Sequence, residues 1–98
     1  MPVVMVECEP IVIFDGSQGK SFELTLSENV VLQTANMVPG EQYIFTFIQD
    51  SVGGYTVLFP ATVINYTTVD AGAGIGTKQI FDCGSTGTLK ALAAATVA

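Results

Sequence analysis

The chain has 98 residues, of which 49% are hydrophobic and only 12% are charged, and its net charge is −6. This length predicts one domain with a single modest core. The three lysines are scattered and form no basic patch, which argues against nucleic acid and anionic membrane surfaces as partners. No apolar run approaches the roughly 20 residues that span a bilayer as a helix.

The charged fraction lies well below the roughly 25% of an ordinary soluble domain. The surface must therefore carry Thr, Ser, Gly, Ala and some apolar side chains. We expect other copies of the chain or a partner to cover part of it, and a monomer with a Thr/Ser/Gly-rich exterior is the alternative.

The N-terminal residues and the two cysteines bear on where the protein is made. The start of the chain, MPVVMVECEP, has no basic segment, so we expect no secretory signal. Without signs of secretion, Cys8 and Cys83 are expected to be two buried, inert thiols rather than a disulfide.

The first half of the chain reads as short strands. Residues 3–7 and 11–14 are apolar runs interrupted by Pro10, which predicts an edge strand or an arm with a bend. Residues 21–27 alternate, with Phe22, Leu24 and Leu26 on one face, as in a half-buried strand. A further strand is predicted over residues 30–34, followed by a loop with a Pro-Gly turn.

Residues 42–60 predict a long β-hairpin that we expect to be central in the fold. Two runs rich in aromatic and β-branched residues flank a polar segment that ends in Gly53 and Gly54. Tyr43, Phe45 and Phe47 share one face of the first strand and Ile44, Thr46 and Ile48 the other, and because both faces are mostly apolar this strand is expected to be buried between two layers. On the second strand Tyr55, Val57 and Phe59 lie opposite Thr56 and Leu58.

The remaining elements complete an all-β chain. Residues 61–68 predict a strand with a bend near Asn65, and residues 69–77 an exposed glycine-rich loop. A closing hairpin pairs a strand beginning at residue 78 with residues 88–92, and the end of the chain is predicted to fray. The expected fold is a small antiparallel β-sandwich or flattened barrel with the central hairpin.

The residue types for catalysis and metal binding are sparse. The chain has no His, so it lacks the usual general base and the commonest metal ligand, and two cysteines alone do not complete a zinc site. Glu7 and Glu9 share a strand face, which suits a solvated edge better than an acid/base pair. We therefore predict no enzyme activity, no cofactor and no metal.

Several short matches are better explained as turns. Residues 15–17 and 70–72 lack the regular spacing of acidic ligands in a calcium loop. The glycines of residues 72–76 lack the strand-then-helix context of a phosphate-binding loop. Residues 65–67 match a glycosylation sequon, but no export signal accompanies them.

Residues 20–92 carry a series of motifs in a recognisable order. An alternating strand is followed by a Pro-Gly turn, an aromatic strand ending in Gln-Asp, a Gly-Gly pair, Thr-Val, an aromatic-Pro end, and a closing Ile-Phe-Asp segment with a Gly/Thr turn. In this sequence the motifs are residues 22–32, Pro39-Gly40, residues 43–50, Gly53-Gly54, Thr56-Val57, Phe59-Pro60 and residues 80–82. The chain thereby resembles a small β domain of tailed-bacteriophage virion proteins.

This resemblance implies a non-enzymatic virion component that is often a trimer. A compact chain without a fibre shaft suits a capsid decoration (cement) protein bound to the major capsid protein on the virion surface. The alternative is a receptor-binding or fibre-tip module that recognises host glycans through exposed loops such as residues 69–77.

Within this single domain, residues 1–19 are predicted to form an N-terminal strand or arm, and residues 20–98 the β-sandwich. The arm is expected to dock on neighbouring subunits, and the hairpin aromatics to form the core or an oligomer seam. The predicted interaction residues are Val3, Val4, Val6, Ile11, Ile13, Phe14, Tyr43, Phe45, Phe47, Val57 and Phe59.

Overall fold

The computed structural model describes residues 3–97, and the side chains of residues 3–96. This part of the chain is all-β and contains no helix, so the predicted fold class is confirmed at that level. The strands are β1 (Val4–Val6), β2 (Ile11–Asp15), β3 (Ser21–Leu26), β4 (Val30–Ala35), β5 (Gln42–Gln49), β6 (Val57–Leu58), β7 (Val63–Ile64), β8 (Gly76–Cys83) and β9 (Leu89–Val97).

The first six strands form two parallel stacks. The chain alternates between a six-stranded sheet, in the order β1-β3-β5-β8-β9-β7, and a three-stranded sheet, in the order β2-β4-β6. Within the first sheet β1 pairs with β3 and β3 with β5, all in parallel. In the second sheet β2 pairs with β4 and β4 with β6, again in parallel. The arrangement is therefore β-solenoid-like, with each successive strand pair stacked on the one before it.

The C-terminal part is built differently. β8 runs antiparallel to β5, and β9 runs antiparallel to β8, while the short β7 pairs in parallel with β9. The predicted closing hairpin is confirmed, and its turn is closed by the amide of Gly84, which donates to the carbonyl of Thr88 at 2.9 Å. The predicted frayed end is wrong, because the strand continues to Val97 by pairing with β8.

An aromatic layer fills the space between the two stacks. Phe14 lies on the three-stranded sheet, and its ring faces three rings of the six-stranded sheet. The distances between ring centroids are 4.8 Å to Phe22, 4.8 Å to Phe45 and 5.6 Å to Phe47. All four side chains are fully buried. The predicted inward face of residues 21–27 is confirmed, since strand alternation sends its apolar side chains to one side. β5 is fully buried only on the face of Tyr43, Phe45 and Phe47, and the opposite face is half-buried, so its predicted burial between two layers is wrong.

The predicted central hairpin is wrong. β5 and β6 lie in different sheets, and both edges of β5 are occupied, by β3 on one side and β8 on the other. Gly53 and Gly54 do adopt positive φ angles of 73° and 84°, but they carry the chain from one sheet to the other. The amide of Gly54 donates to the carbonyl of Ala71 at 2.8 Å, so this segment is bound to a distant loop.

The antiparallel sandwich built on that hairpin is therefore also wrong in its topology. Parallel and antiparallel strands both alternate with a period of two residues, so the hydrophobic pattern predicts strands and faces without predicting their direction. The glycine pair was interpreted as a tight reversal because local turn chemistry does not show which strand lies beside β5.

The N-terminal residues expected to form an arm contain β1 and β2, which pair with β3 and β4. The long strand predicted over residues 61–68 shrinks to β7. The predicted bend is confirmed at Asn65, whose φ is 58°. The glycine-rich loop is exposed in part, but Val69 and Thr77 at its ends are buried.

Two buried glutamines tie extended loops to the sheets. Gln49 donates to the carbonyls of Tyr55 and Asp70 at 2.8 and 2.9 Å, and its Oε1 accepts from the amide of Tyr55 at 3.2 Å. Gln79 exchanges two hydrogen bonds with the backbone of Thr67, at 2.7 and 2.8 Å. The two side-chain amides bind backbone groups of the loops that would otherwise pair with a neighbouring strand. The loops can therefore run extended without belonging to a sheet.

Candidate interaction surface

The outer surface of the three-stranded sheet carries four exposed aliphatic side chains, which we call the apolar face: Ile11, Ile13, Val31 and Leu58. Ile11 is paired with Val31, and Val31 with Leu58, so these three form one row across all three strands. Their exposed fractions are 55%, 39% and 63%, and that of Ile13 is 54%. A contiguous row of this kind differs from the single exposed aliphatics found on most protein surfaces.

Strand alternation explains why these side chains are outside. β2 buries Val12 and Phe14, and this places Ile11 and Ile13 on the opposite side. β4 buries Val30 and Leu32 in the same way, which leaves Val31 outward. The inward positions are needed for the aromatic layer, so the outward aliphatics have no role in the core of the single chain.

The apolar face carries little charge. The other outward position beside Ile13 is Gln33, its partner on β4, and Asp15 lies at the end of β2. The Asp15 carboxylate accepts from the Ser17 hydroxyl at 2.7 Å, from the Ser17 amide at 2.9 Å and from Asn36 at 3.0 Å. These bonds, led by that of the Ser17 hydroxyl, lower the pKa of Asp15.

The described lysines lie on the six-stranded sheet or beside it. Lys78 and Lys90 are exposed on β8 and β9. Lys20 forms an ion pair with Glu41, in which both side chains are 42% exposed. The hydrogen bond that Lys20 donates to the Glu41 carboxylate raises the pKa of Lys20. The two outer surfaces therefore differ, one carrying mixed charges and the other mostly aliphatic.

At the N-terminal side of the stacks the two sheets end in β1 and β2, each of which is paired on one side only. A shallow recess of about 260 Å³ lies there, lined by Val6, Glu7, Glu9, Ile11, Val12 and Ile13. Glu7 and Glu9 are both exposed, as predicted, but they lie in the connection between β1 and β2, so the predicted shared strand face is wrong.

The structure separates the predicted interaction residues into three groups, which are exposed, half-buried and buried. Val3, Ile11 and Ile13 are exposed, whereas Val4, Val6 and Val57 pack half-buried against the core. The buried group belongs to the core of the single chain and is inaccessible to a partner: Phe14, Tyr43, Phe45, Phe47 and Phe59. Phe14 was expected to dock outside as part of the predicted arm, but alternation within β2 directs it inward.

Sequence reasoning missed Val31 and Leu58. Val31 could have been assigned to the outside, because residues 30–34 were predicted to form a strand and neighbouring residues of a strand face opposite sides. Burial of Val30 and Leu32 leaves Val31 exposed. Leu58 could not be assigned to this surface, since its neighbour β4 lies far away in the sequence and was not predicted to pair with it.

Other candidate chemistry is limited. Cys8 and Cys83 are free thiols as predicted, Cys83 is buried, and Cys8 is only half-buried. Burial raises the pKa of the Cys83 thiol, with a smaller contribution from Asp82. Among residues 3–97 no three Cys, Asp or Glu side chains gather as metal ligands.

A second recess of about 220 Å³ lies beside the glycine-rich loop. It is lined by Thr67, Thr68, Asp70, Thr77 and residues 94–96. Tyr66 precedes Thr67 in the chain but does not line the recess; it is 42% exposed, and its ring stacks on Phe59 with 4.2 Å between centroids. The recess is rich in hydroxyl groups and contains one carboxylate.

No protein-family model, curated protein or solved structure matches this chain. The described residues include no helix long and apolar enough to cross a membrane.

Proposed function

We propose that this protein is a structural component of a tailed-bacteriophage virion, a capsid decoration protein that binds the major capsid protein and stabilises the head. The motif series of residues 20–92 suggests this class of protein. The observation that carries the assignment to decoration is the apolar face, because a single acidic chain gains nothing from a contiguous aliphatic row on its outside.

The proposed mechanism is burial of this face against the capsid lattice. Each of its side chains is about half exposed, so complete burial stabilises the complex by about 1 kcal/mol per side chain. The flat surface of a parallel sheet also keeps its shape on binding, since each strand is fixed by its neighbours. No bond is made or broken, and no reactive group is required.

Binding to capsids that lack decoration tests this function. Leu58→Ser should weaken binding about tenfold, and the double variant Ile11→Ser/Leu58→Ser should weaken it further, because each removes apolar area from the contact. Leu92→Ser is the matched control, an exposed leucine on the other sheet, and should bind like the unaltered protein. Equal affinity for all variants would refute docking through the apolar face.

The family resemblance implies a trimer, but capsid binding through the apolar face requires no particular number of copies. Sedimentation of the purified protein measures it directly. A monomer at all concentrations would remove self-association from the proposal and leave capsid binding to the experiment above.

A second candidate function is glycan binding at a fibre tip. The hydroxyl-rich recess beside the glycine-rich loop and the exposed ring of Tyr66 favour it, since sugars bind through hydroxyl contacts and stacking on aromatic rings. Tyr66→Ala should then abolish binding to host cells and leave capsid binding unchanged. Binding to cells but not to capsids would select this candidate over decoration.

A further inference from the structure

β2 differs from the other edge strands of the described chain. The six-stranded sheet ends in β1 and β7, and the three-stranded sheet ends in β2 and β6. β1, β6 and β7 are only two or three residues long, whereas β2 has five. Short edges resist pairing with other chains, and longer edges are commonly protected by an internal Lys or Pro. β2, with the sequence IVIFD, has neither.

The hydrogen bonds of β2 show which of its backbone groups remain available. Val31 donates to the carbonyl of Pro10, and Gly16 donates to the carbonyl of Ala35. Parallel pairing uses alternate residues of a strand, so Val12 and Phe14 also direct their backbone groups to β4. The amides and carbonyls of Ile11 and Ile13 and the amide of Asp15 therefore point to the open side, whereas the carbonyl of Asp15 already accepts from the amide of Gln18 at 3.0 Å.

These open groups are complementary to a second copy of themselves. If two β2 strands run antiparallel with Ile13 opposite Ile13, then Ile11 lies opposite Asp15 in both directions. The Ile13 pair can exchange two hydrogen bonds. In each Ile11–Asp15 pair the Asp15 amide donates to the Ile11 carbonyl, and the Asp15 carbonyl uses its second lone pair, beside its bond to Gln18, to accept from the Ile11 amide. A shift by two residues toward the N-terminus places Asp15 opposite Glu9, which lies outside β2, and the two carboxylates repel.

We propose that β2 pairs antiparallel with β2 of a second copy of this chain, across a twofold axis at Ile13. The two three-stranded sheets then join into one six-stranded sheet, and the two apolar faces become one continuous surface. This contact is isologous, as in most homodimers. It yields a dimer where the family resemblance implies a trimer, and it does not depend on the proposed virion role.

The pair should be weak and sensitive to salt. Two five-residue edges bury less than the roughly 800 Å² per partner of a typical stable complex, so we expect dissociation at micromolar concentration. Glu7 and Glu9 of both copies lie near the junction, and each chain has a net charge of −6. Added salt screens this repulsion and should tighten the dimer.

Cross-linking in the full chain tests the register. In a Cys8→Ser background, Ile13→Cys places two thiols on the axis, within reach of a disulfide because hydrogen-bonded partners lie about 5.5 Å apart. Gln33→Cys is the matched control, because Gln33 is exposed beside Ile13 and is one strand farther from the axis. The two Gln33 positions would be about 15 Å apart, too far for a bridge. Mild oxidation should give a covalent dimer for Ile13→Cys and not for Gln33→Cys.

A charge substitution gives an independent measurement. Ile13→Lys brings two ammonium groups together on the axis and should raise the dimer dissociation constant at least tenfold, whereas Gln33→Lys should change it less than threefold. Circular dichroism confirms that both variants fold. Equal cross-linking of the two cysteine variants, no cross-linking of Ile13→Cys, or a trimer by sedimentation would each overturn the pairing. The Leu58→Ser experiment on capsids judges the virion role separately.

Discussion

The parallel part, β1 to β6, and the second half of β9 are held in place by different forces. The parallel part encloses the aromatic layer, in which Phe14 contacts three rings of the opposite sheet. The second half of β9 is alanine-rich, and its residues 92–96 are all exposed. Side-chain burial therefore stabilises the parallel part, whereas backbone hydrogen bonds hold most of β9.

The largest effect should come from removing a ring of the aromatic layer. Phe14→Ala leaves a cavity between the two stacks and should lower the free energy of unfolding by about 3–5 kcal/mol. Leu92→Ala, in β9, should change it by less than about 0.5 kcal/mol, because this side chain is exposed. Denaturant unfolding measures both, and similar losses would contradict the division between the two parts.

The next effect concerns the loop that joins the two stacks. Gln49→Ala leaves backbone groups of Tyr55 and Asp70 without partners and should lower the free energy of unfolding by about 2 kcal/mol. Hydrogen exchange should then accelerate at Tyr55 and Gly54 more than in β9. The control is Gln33→Ala, an exposed glutamine, for which we expect no measurable change.

Two glycines with positive φ compare the loop that joins the two stacks with the β8–β9 turn. At Gly53 a Cβ would lie 2.8 Å from the Ala71 carbonyl, so Gly53→Ala adds a backbone clash to the conformational strain. Gly87, in the β8–β9 turn, has a φ of 83° and open space around it. Gly87→Ala should cost about 1–2 kcal/mol from strain alone, and thermal unfolding should show a larger loss for Gly53→Ala. The reverse order would mean that the Gly53 loop relaxes away from residues 71–73.

The smallest effect is a pH dependence at the end of β2. The hydrogen bonds to Asp15 lower its pKa in the folded state below 3.8. Its contribution to stability is therefore present above that pH and is lost as the pH falls through the folded pKa. Asp15→Asn should be less stable than the unaltered protein at pH 7, and the difference should shrink toward pH 2. A constant difference across this range would show that the carboxylate charge has no role.

The sequence predicted what depends on local pattern. The inward positions of β3 and the β8–β9 hairpin follow from alternation and from a turn between neighbouring strands. The β5–β6 hairpin failed because Gly53-Gly54 suits a reversal as well as a crossover, and only the distant partners β3 and β8 decide between them.

Part of the apolar face could be predicted from the sequence, and part depends on the pairing of distant strands. Ile11 and Ile13 were selected as apolar residues near the N-terminus, and the structure places both on the apolar face. Val31 and Leu58 join them only through the parallel pairing of β2, β4 and β6, which brings residues from distant parts of the sequence into one row. No periodicity within a single strand contains that information.

Electron microscopy of heads saturated with the purified protein would show whether the apolar face is the surface that contacts the capsid. We expect density for the protein on the capsid, with the three-stranded sheet turned toward the major capsid protein and the apolar face covered. Density confined to the tail, or a capsid-bound protein whose apolar face points to solvent, would contradict it.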